Sequence, residues 1–231
     1  MGWLLDLLGY DVTLIQGGYK SFRNWALARF ADPYSLTVLG GETGSGKTNL
    51  LKMLADSGEA VVDLEQLAQH RGSVFGAMSA QPSQEQFENE LALDLFERKD
   101  RPIWVEDESQ RIGEATIPKM FFEQMRLARL VVLQVPQEMR VQACLDGYLS
   151  LGYEKIAISI MRLKKRLGGT ETKRALDALE KKNDRECCEV LLRYYDKKYR
   201  FGMSKRDPKT LVLLPIEKAS LSNLKELTQS R

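Results

Sequence analysis

Residues 40–48 read Gly40-Gly41-Glu42-Thr43-Gly44-Ser45-Gly46-Lys47-Thr48, and they hold the spacing G-x-x-x-x-G-K-[ST] with Gly41, Gly46, Lys47 and Thr48 in register. Glycines free the backbone to wrap so that successive N–H groups point inward. Lys47 supplies a mobile cation, and the Thr48 hydroxyl is a ligand for magnesium. Gly41, Gly44, Ser45, Gly46, Lys47 and Thr48 therefore make a cradle for a diphosphate. A nucleotide is its default occupant, but the loop reads phosphate and not base.

Acids stand where such a loop needs them. In an open parallel sheet, ligands sit beyond the carboxyl ends of the strands, where Asp63, Glu65, Glu106 and Glu108 are expected to gather. Glu106 directly follows the apolar run Ile103-Trp104-Val105 and is the best positional match to a metal-side acid. Thr48, Asp63 and Glu106 are the expected ligands where magnesium is used, and an acid there can also act as a general base. His70 and Arg71 follow another strand end. An arginine clamps phosphate, and a neutral histidine exchanges protons near pH 7. The expected catalytic set is Lys47, His70, Arg71 and Glu106.

Ser35-Leu36-Thr37-Val38-Leu39 has strand character, and Asn49 to Ala55 places apolar residues at helical spacing before a stop at Ser57-Gly58. Strand, glycine loop and helix thus occur in the order the chemistry requires. A four-residue strand ending in acids follows within 59–65. Ser83 with Gln86 forms a capping box that opens a helix closing at Arg98-Lys99-Asp100. Strands at 103–106 and 130–135 alternate with helices at 118–125 and from Pro136 onward. This alternation predicts an α/β fold, a P-loop NTPase-like parallel sheet with helices on both faces. From Gly152 to about Tyr199 the pattern is mainly helical, broken at Gly168-Gly169-Thr170. A last strand is expected over 211–216 and a terminal helix over 220–228. The division is a P-loop core at 31–150 and a mainly helical basic region at 151–231, packed on it.

The chain has 231 residues, 43% of them hydrophobic, and a net charge of +2. No apolar run approaches the roughly 20 residues that span a bilayer. The opening Met1-Gly2-Trp3-Leu4-Leu5-Asp6-Leu7-Leu8 lacks a basic leader, so secretion is not expected. Cys187 and Cys188 are adjacent and Cys144 stands alone, which offers neither a disulfide framework nor a CxxC pair and fits a reducing cytoplasm. Cys188, Leu191, Leu192 and Tyr195 share a helical stripe, which places the cysteines in or near the core. One histidine rules out a site of several His ligands. Charge is uneven: residues 1–150 hold 14 Lys+Arg against 21 Asp+Glu, and residues 151–210 hold 17 against 9. The basic stretch, interleaved with Tyr194, Tyr195, Tyr199 and Phe201, reads either as a polyanion-binding surface or as a solvated helical face.

The combination of Gly44-Ser45-Gly46-Lys47-Thr48, Asp63-Leu64-Glu65, His70-Arg71-Gly72-Ser73, Pro82-Ser83-Gln84 with Phe87-Glu88, and Trp104-Val105-Glu106-Asp107-Glu108-Ser109 with Ile112-Gly113 resembles the tRNA 2-selenouridine synthase family. The likeness covers about residues 35–200 and includes Tyr194-Tyr195-Asp196 with Tyr199. Members pair a rhodanese-like domain with this P-loop domain and act on 2-thiouridine at the wobble position of certain tRNAs. They geranylate its sulfur from geranyl diphosphate, then replace it with selenium from selenophosphate. The resemblance implies a prenyl diphosphate in the loop and a tRNA anticodon arm on Arg162, Lys164, Lys165, Arg166, Lys173, Arg174, Lys197, Lys198 and Arg200, with aromatic residues stacking unpaired bases. Residues 1–30 resemble the last helix and strand of the rhodanese-like domain. Its reactive-cysteine loop would then lie upstream; in a complete chain selenation would need a separate rhodanese-like partner, docking on Trp3, Leu4, Leu7 and Leu8, whereas in a fragment that surface is a cut edge. Two other readings stand beside this one: a Mg-ATP-dependent kinase or ATPase, and a noncatalytic tRNA-binding module. No Asn-Lys-x-Asp run favours guanine.

Overall fold

In a computed structural model, which describes residues 2–70, 80–149 and 152–229, five strands form one parallel sheet. The chain runs α1 (Gly2–Leu7), α2 (Gly18–Arg29), β1 (Leu36–Gly41), α3 (Lys47–Asp56), β2 (Ala60–Val62) and α4 (Leu64–Leu67). It continues with α5 (Gln84–Arg98), β3 (Ile103–Glu106), the two-residue strands β4 (Arg111–Ile112) and β5 (Ala115–Thr116), α6 (Lys119–Leu127) and β6 (Arg129–Gln134). Last come α7 (Gln137–Leu149), α8 (Tyr153–Leu167), α9 (Gly169–Glu180), α10 (Asp184–Met203), β7 (Leu211–Pro215) and α11 (Leu221–Gln229).

The sheet order is β2-β3-β1-β6-β7, with every neighbour parallel. Alternate side chains on a strand point to opposite faces, and here each face has its own core. Val38 and Val105 pack with Phe87, Leu91, Leu95, Phe121 and Met125 on one side. Leu39, Trp104 and Val131 pack with Leu51, Leu54, Leu214 and Leu224 on the other. Both faces are therefore covered by helices, as the alternation in the sequence predicts.

The basic stretch builds a three-helix lobe from α8, α9 and α10 around Ile156, Ile160, Leu163, Ala175, Leu179, Cys187 and Leu191. Gly168 (φ +89°) makes the break between α8 and α9. A small cluster of Val141, Cys144, Cys188 and Leu192 joins α7 to α10. All three cysteines are buried in the cores, and burial pushes the Cys187 thiol up to about 12. The chain then returns to the core: β7 pairs with β6 at the edge of the sheet.

The first 30 residues depart from expectation. Residues 10–15 form no strand, and α2 packs against α5, its Ala26 and the following Phe30 entering the main core. α1 has no buried residue, and Trp3, Leu4, Leu7 and the following Leu8, Tyr10, Leu14 and Ile15 are exposed.

Candidate diphosphate site at the carboxyl end of the sheet

β1 ends in Gly40 and Gly41, where side chains would not fit: a Cβ on Gly40 would stand 2.4 Å from the Tyr199 hydroxyl. The chain then turns through Gly44 (φ +80°) and Gly46 (φ +81°), a left-handed backbone that glycine alone adopts without strain. α3 starts at Lys47 with no side-chain cap, so its first N–H groups are left for an anion. The Lys47 Nζ donates to the Gly41 carbonyl at 3.0 Å and stands 3.7 Å from Glu106 Oε1. The Thr48 hydroxyl donates to Glu106 Oε2 at 3.3 Å. Lys47 and Thr48 thus converge on one buried carboxylate, whose strand pairs Leu39 with Glu106 across β1 and β3.

Glu65 and Glu108 join Glu106, with carboxylate oxygens within 4.8 Å of one another. Removal from water raises the proton affinity of Glu106, opposed by Lys47 and reinforced by Glu65 and Asp63. Burial likewise raises that of Glu108, and the charges of Glu106 and Glu65 add to it. A set of oxygen donors strained by mutual repulsion suits a hard divalent cation such as magnesium.

The structure redistributes the expected ligands. Asp63 caps α4, accepting from the Gln66 N–H at 2.9 Å, and the acids facing Glu106 are Glu65 and Glu108. His70 is half-buried with its backbone N–H on the Glu65 carbonyl and its Nδ1 shielded, with no hydrogen-bond partner among the described residues. Arg71, Gly72 and Ser73 lie outside the described residues.

The model of the tRNA 2-selenouridine synthase AAA domain matches residues 34–220. That stretch contains the loop, the acids and the helical lobe. The chain belongs to the tRNA 2-selenouridine synthase family. A curated tRNA 2-selenouridine synthase from Sulfurovum sp. is 34% identical over 90% of this chain and 66% of its own length. One from Shewanella denitrificans is 35% identical over 90% and 65%. One from Nitrosomonas eutropha is 42% identical over 64% of this chain and 39% of its own length. The chain spans just under two thirds of the length of the first two.

Seen against the tRNA 2-selenouridine synthases, the residues the sequence offered for RNA form an exposed set. Arg162, Lys164, Lys165 and Arg166 lie on α8, Lys173 and Arg174 on α9, and Lys197, Lys198 and Arg200 on α10, all facing solvent. A depression of about 630 Å³ runs along α9, lined by Lys173, Arg174, Asp177, Lys181 and Glu186. Two of the cations are engaged: Arg174 pairs with Glu186 and Arg200 with Glu42. The three tyrosines among the aromatic residues are partly buried. Tyr194 and Tyr195 meet edge to face and pack on the lobe's core, and Tyr199 packs on the main core. Phe201 alone of that group is exposed.

Beyond any sequence motif, Arg140 on α7 is buried and bonds both oxygens of Asp196 at 2.9 Å. It also meets Glu42 at 2.9 Å and donates to the Thr43 carbonyl at 3.2 Å. Arg206 donates to Asp107 at 2.7 Å and to the Met125 carbonyl at 3.0 Å. These pairs bridge residues 56 to 99 positions apart, and no local pattern announces them. They fasten α10 and the turn after it to the loop end of the sheet.

No described helix is long and apolar enough to cross a membrane.

Proposed function

We propose that this chain modifies the wobble uridine of tRNA, transferring a geranyl group from geranyl diphosphate to the sulfur of 2-thiouridine. The observation that carries the reading is the convergence of Lys47 and Thr48 on Glu106 beside Glu65 and Glu108, in a chain of this family. A carbon–oxygen bond of the donor breaks and a carbon–sulfur bond forms. The bonding pair leaves with the diphosphate, and the base releases its N3 proton. Charge grows on the departing diphosphate, so the loop's N–H groups and Lys47 act where it develops. Magnesium held by Thr48 and Glu106 would neutralise the same charge. The thiocarbonyl sulfur is itself nucleophilic, which lightens the demand for a protein base. The basic faces of α8, α9 and α10 hold the anticodon arm by its phosphates. Selenation from selenophosphate would draw on a reactive cysteine of a rhodanese-like domain or partner, because Cys144, Cys187 and Cys188 are buried.

The test incubates the protein with 2-thiouridine-containing tRNA, magnesium and geranyl diphosphate, with ATP alone in parallel, and analyses nucleosides and released phosphate. Geranylated nucleoside is expected. Phosphate release from ATP without it would favour a kinase or ATPase, and tRNA binding with neither a binding module. Lys47→Ala is expected to lower transfer roughly 100-fold or more while leaving most tRNA affinity. An equal loss of both would mean the loop mainly holds RNA.

A further inference from the structure

Glu42 is the second residue of the phosphate loop, and two arginines meet on it from outside the loop. Arg140 reaches it from α7 at 2.9 Å and Arg200 from α10 at 2.7 Å. Arg140 has no freedom to turn toward a ligand: its two terminal nitrogens are taken by Asp196, Glu42 and the Thr43 carbonyl. It is also packed against the turn itself, since a Cβ on Gly44 would stand 2.8 Å from the Arg140 carbonyl. One turn of α10 supplies the rest of the brace. Asp196 holds Arg140, Tyr199 places its hydroxyl over Gly40, and Arg200 meets Glu42.

We infer that Arg140, locked by Asp196, is a positioning residue for the diphosphate site: it fixes the Glu42-Thr43-Gly44 backbone so that the loop's N–H groups are already aimed when the ligand arrives. The inference rests on the reading of this loop as a diphosphate site and deepens it. A flat guanidinium that bonds a carboxylate in two places and a loop carbonyl in a third sets an angle as well as a distance, which a lysine ammonium does not. The brace also comes from the helix that carries Lys197 and Lys198, so the RNA-facing lobe and the donor site share one support.

Inorganic pyrophosphate is the probe, titrated calorimetrically with magnesium into the full chain, because it reads the loop whatever group the natural donor transfers. Arg140→Ala would strand the buried Asp196 carboxylate and endanger folding. Two milder changes keep the inference open to refutation. Glu42→Gln leaves the Arg140–Asp196 pair intact and weakens the hold of Arg140, and with it that of Arg200, on the loop. Arg140→Met with Asp196→Asn removes both charges together. Each is expected to keep a cooperative melt and to weaken pyrophosphate binding roughly 10-fold, the scale seen when a supporting shell is lost. The donor KM rises correspondingly and the tRNA KM is unchanged. Folded variants that bind pyrophosphate as tightly as the parent chain would overturn the inference. Failure of the parent chain to geranylate tRNA while it binds pyrophosphate would overturn the proposed reaction and leave this test standing.

Discussion

Glu106 has to be an anion when a cation or Lys47 needs it, yet its surroundings resist the charge. Burial and the neighbouring Glu65 and Asp63 push its carboxyl up to about 7, and burial with the charges of Glu106, Glu65 and Asp107 pushes Glu108 up to about 8. Below about pH 4.5, the ordinary value, the acids are protonated in folded and unfolded chain alike. As pH rises, the unfolded chain ionises first, so the folded state holds extra protons and stability is lost up to pH 7–8. In metal-free buffer the melting temperature should therefore fall from pH 5 to pH 8. Glu106→Gln carries no such proton, and its decline should be shallower by about 1–3 kcal/mol. Magnesium at pH 8 should raise the melting temperature of the parent chain more than that of the variant. Parallel pH curves would mean that the three carboxylates do not share one buried site. The acids' role was partly legible in the sequence, since each follows a strand. A strand-end acid and a helix N-cap occupy the same place in the chain, however, and only the Gln66 N–H on Asp63 tells them apart.

At the scale of elements, the loop between β1 and α3 separates two demands on glycine. Gly44 and Gly46 have nearly the same positive φ, but a Cβ on Gly44 would meet the Arg140 backbone at 2.8 Å while one on Gly46 would meet nothing within 4 Å. Gly46→Ala should cost about 1 kcal/mol of backbone strain. Gly44→Ala carries that strain and a clash with a backbone atom that cannot swing aside, so about 2–4 kcal/mol is expected. Equal melting temperatures for the two variants would show that α7 is not pressed against the turn. The turn itself could be read from its glycines, and the start of α5 from Ser83, whose side chain accepts from the Gln86 N–H as the capping box predicts. The strand that the resemblance implied within residues 1–30 does not form at 10–15. A strand exists only when a neighbour takes its N–H and C=O groups, and none is paired there among the described residues. Tyr195, which shares a helical stripe with Cys188, Leu191 and Leu192, packs against the lobe's core. Arg140 was invisible: its partners lie at 42, 43 and 196.

Across the whole molecule, charge is sorted between an acidic sheet half and a basic helical lobe, and their junction is where the loop lies. A solvated lobe and an RNA-binding lobe look alike when empty, but they respond differently to salt. Each phosphate contact adds roughly 0.7–0.9 to the slope of log affinity against log salt, because binding releases condensed counterions. Lys164, Lys165 and Arg166 form the last turn of α8, exposed together. Replacing all three with alanine should lower the slope for tRNA by about 2 and weaken binding at low salt most. Lys119→Ala on α6, an equally exposed cation in the acidic half, should leave the slope as it is. Fold should survive the triple change, because none of the three side chains is buried and Leu163 beside them, which is, stays in the lobe's core. The donor site should be untouched as well, with pyrophosphate affinity unchanged, since the brace on Glu42 runs through Asp196 and Arg200 on α10 and not through α8. An unchanged salt slope would return this turn to an ordinary solvated face and move the RNA to the cations of α9 and α10. A slope that falls together with pyrophosphate affinity would instead mean that both ligands share one patch of charge, and that the sorting of charge along the chain does not divide the work.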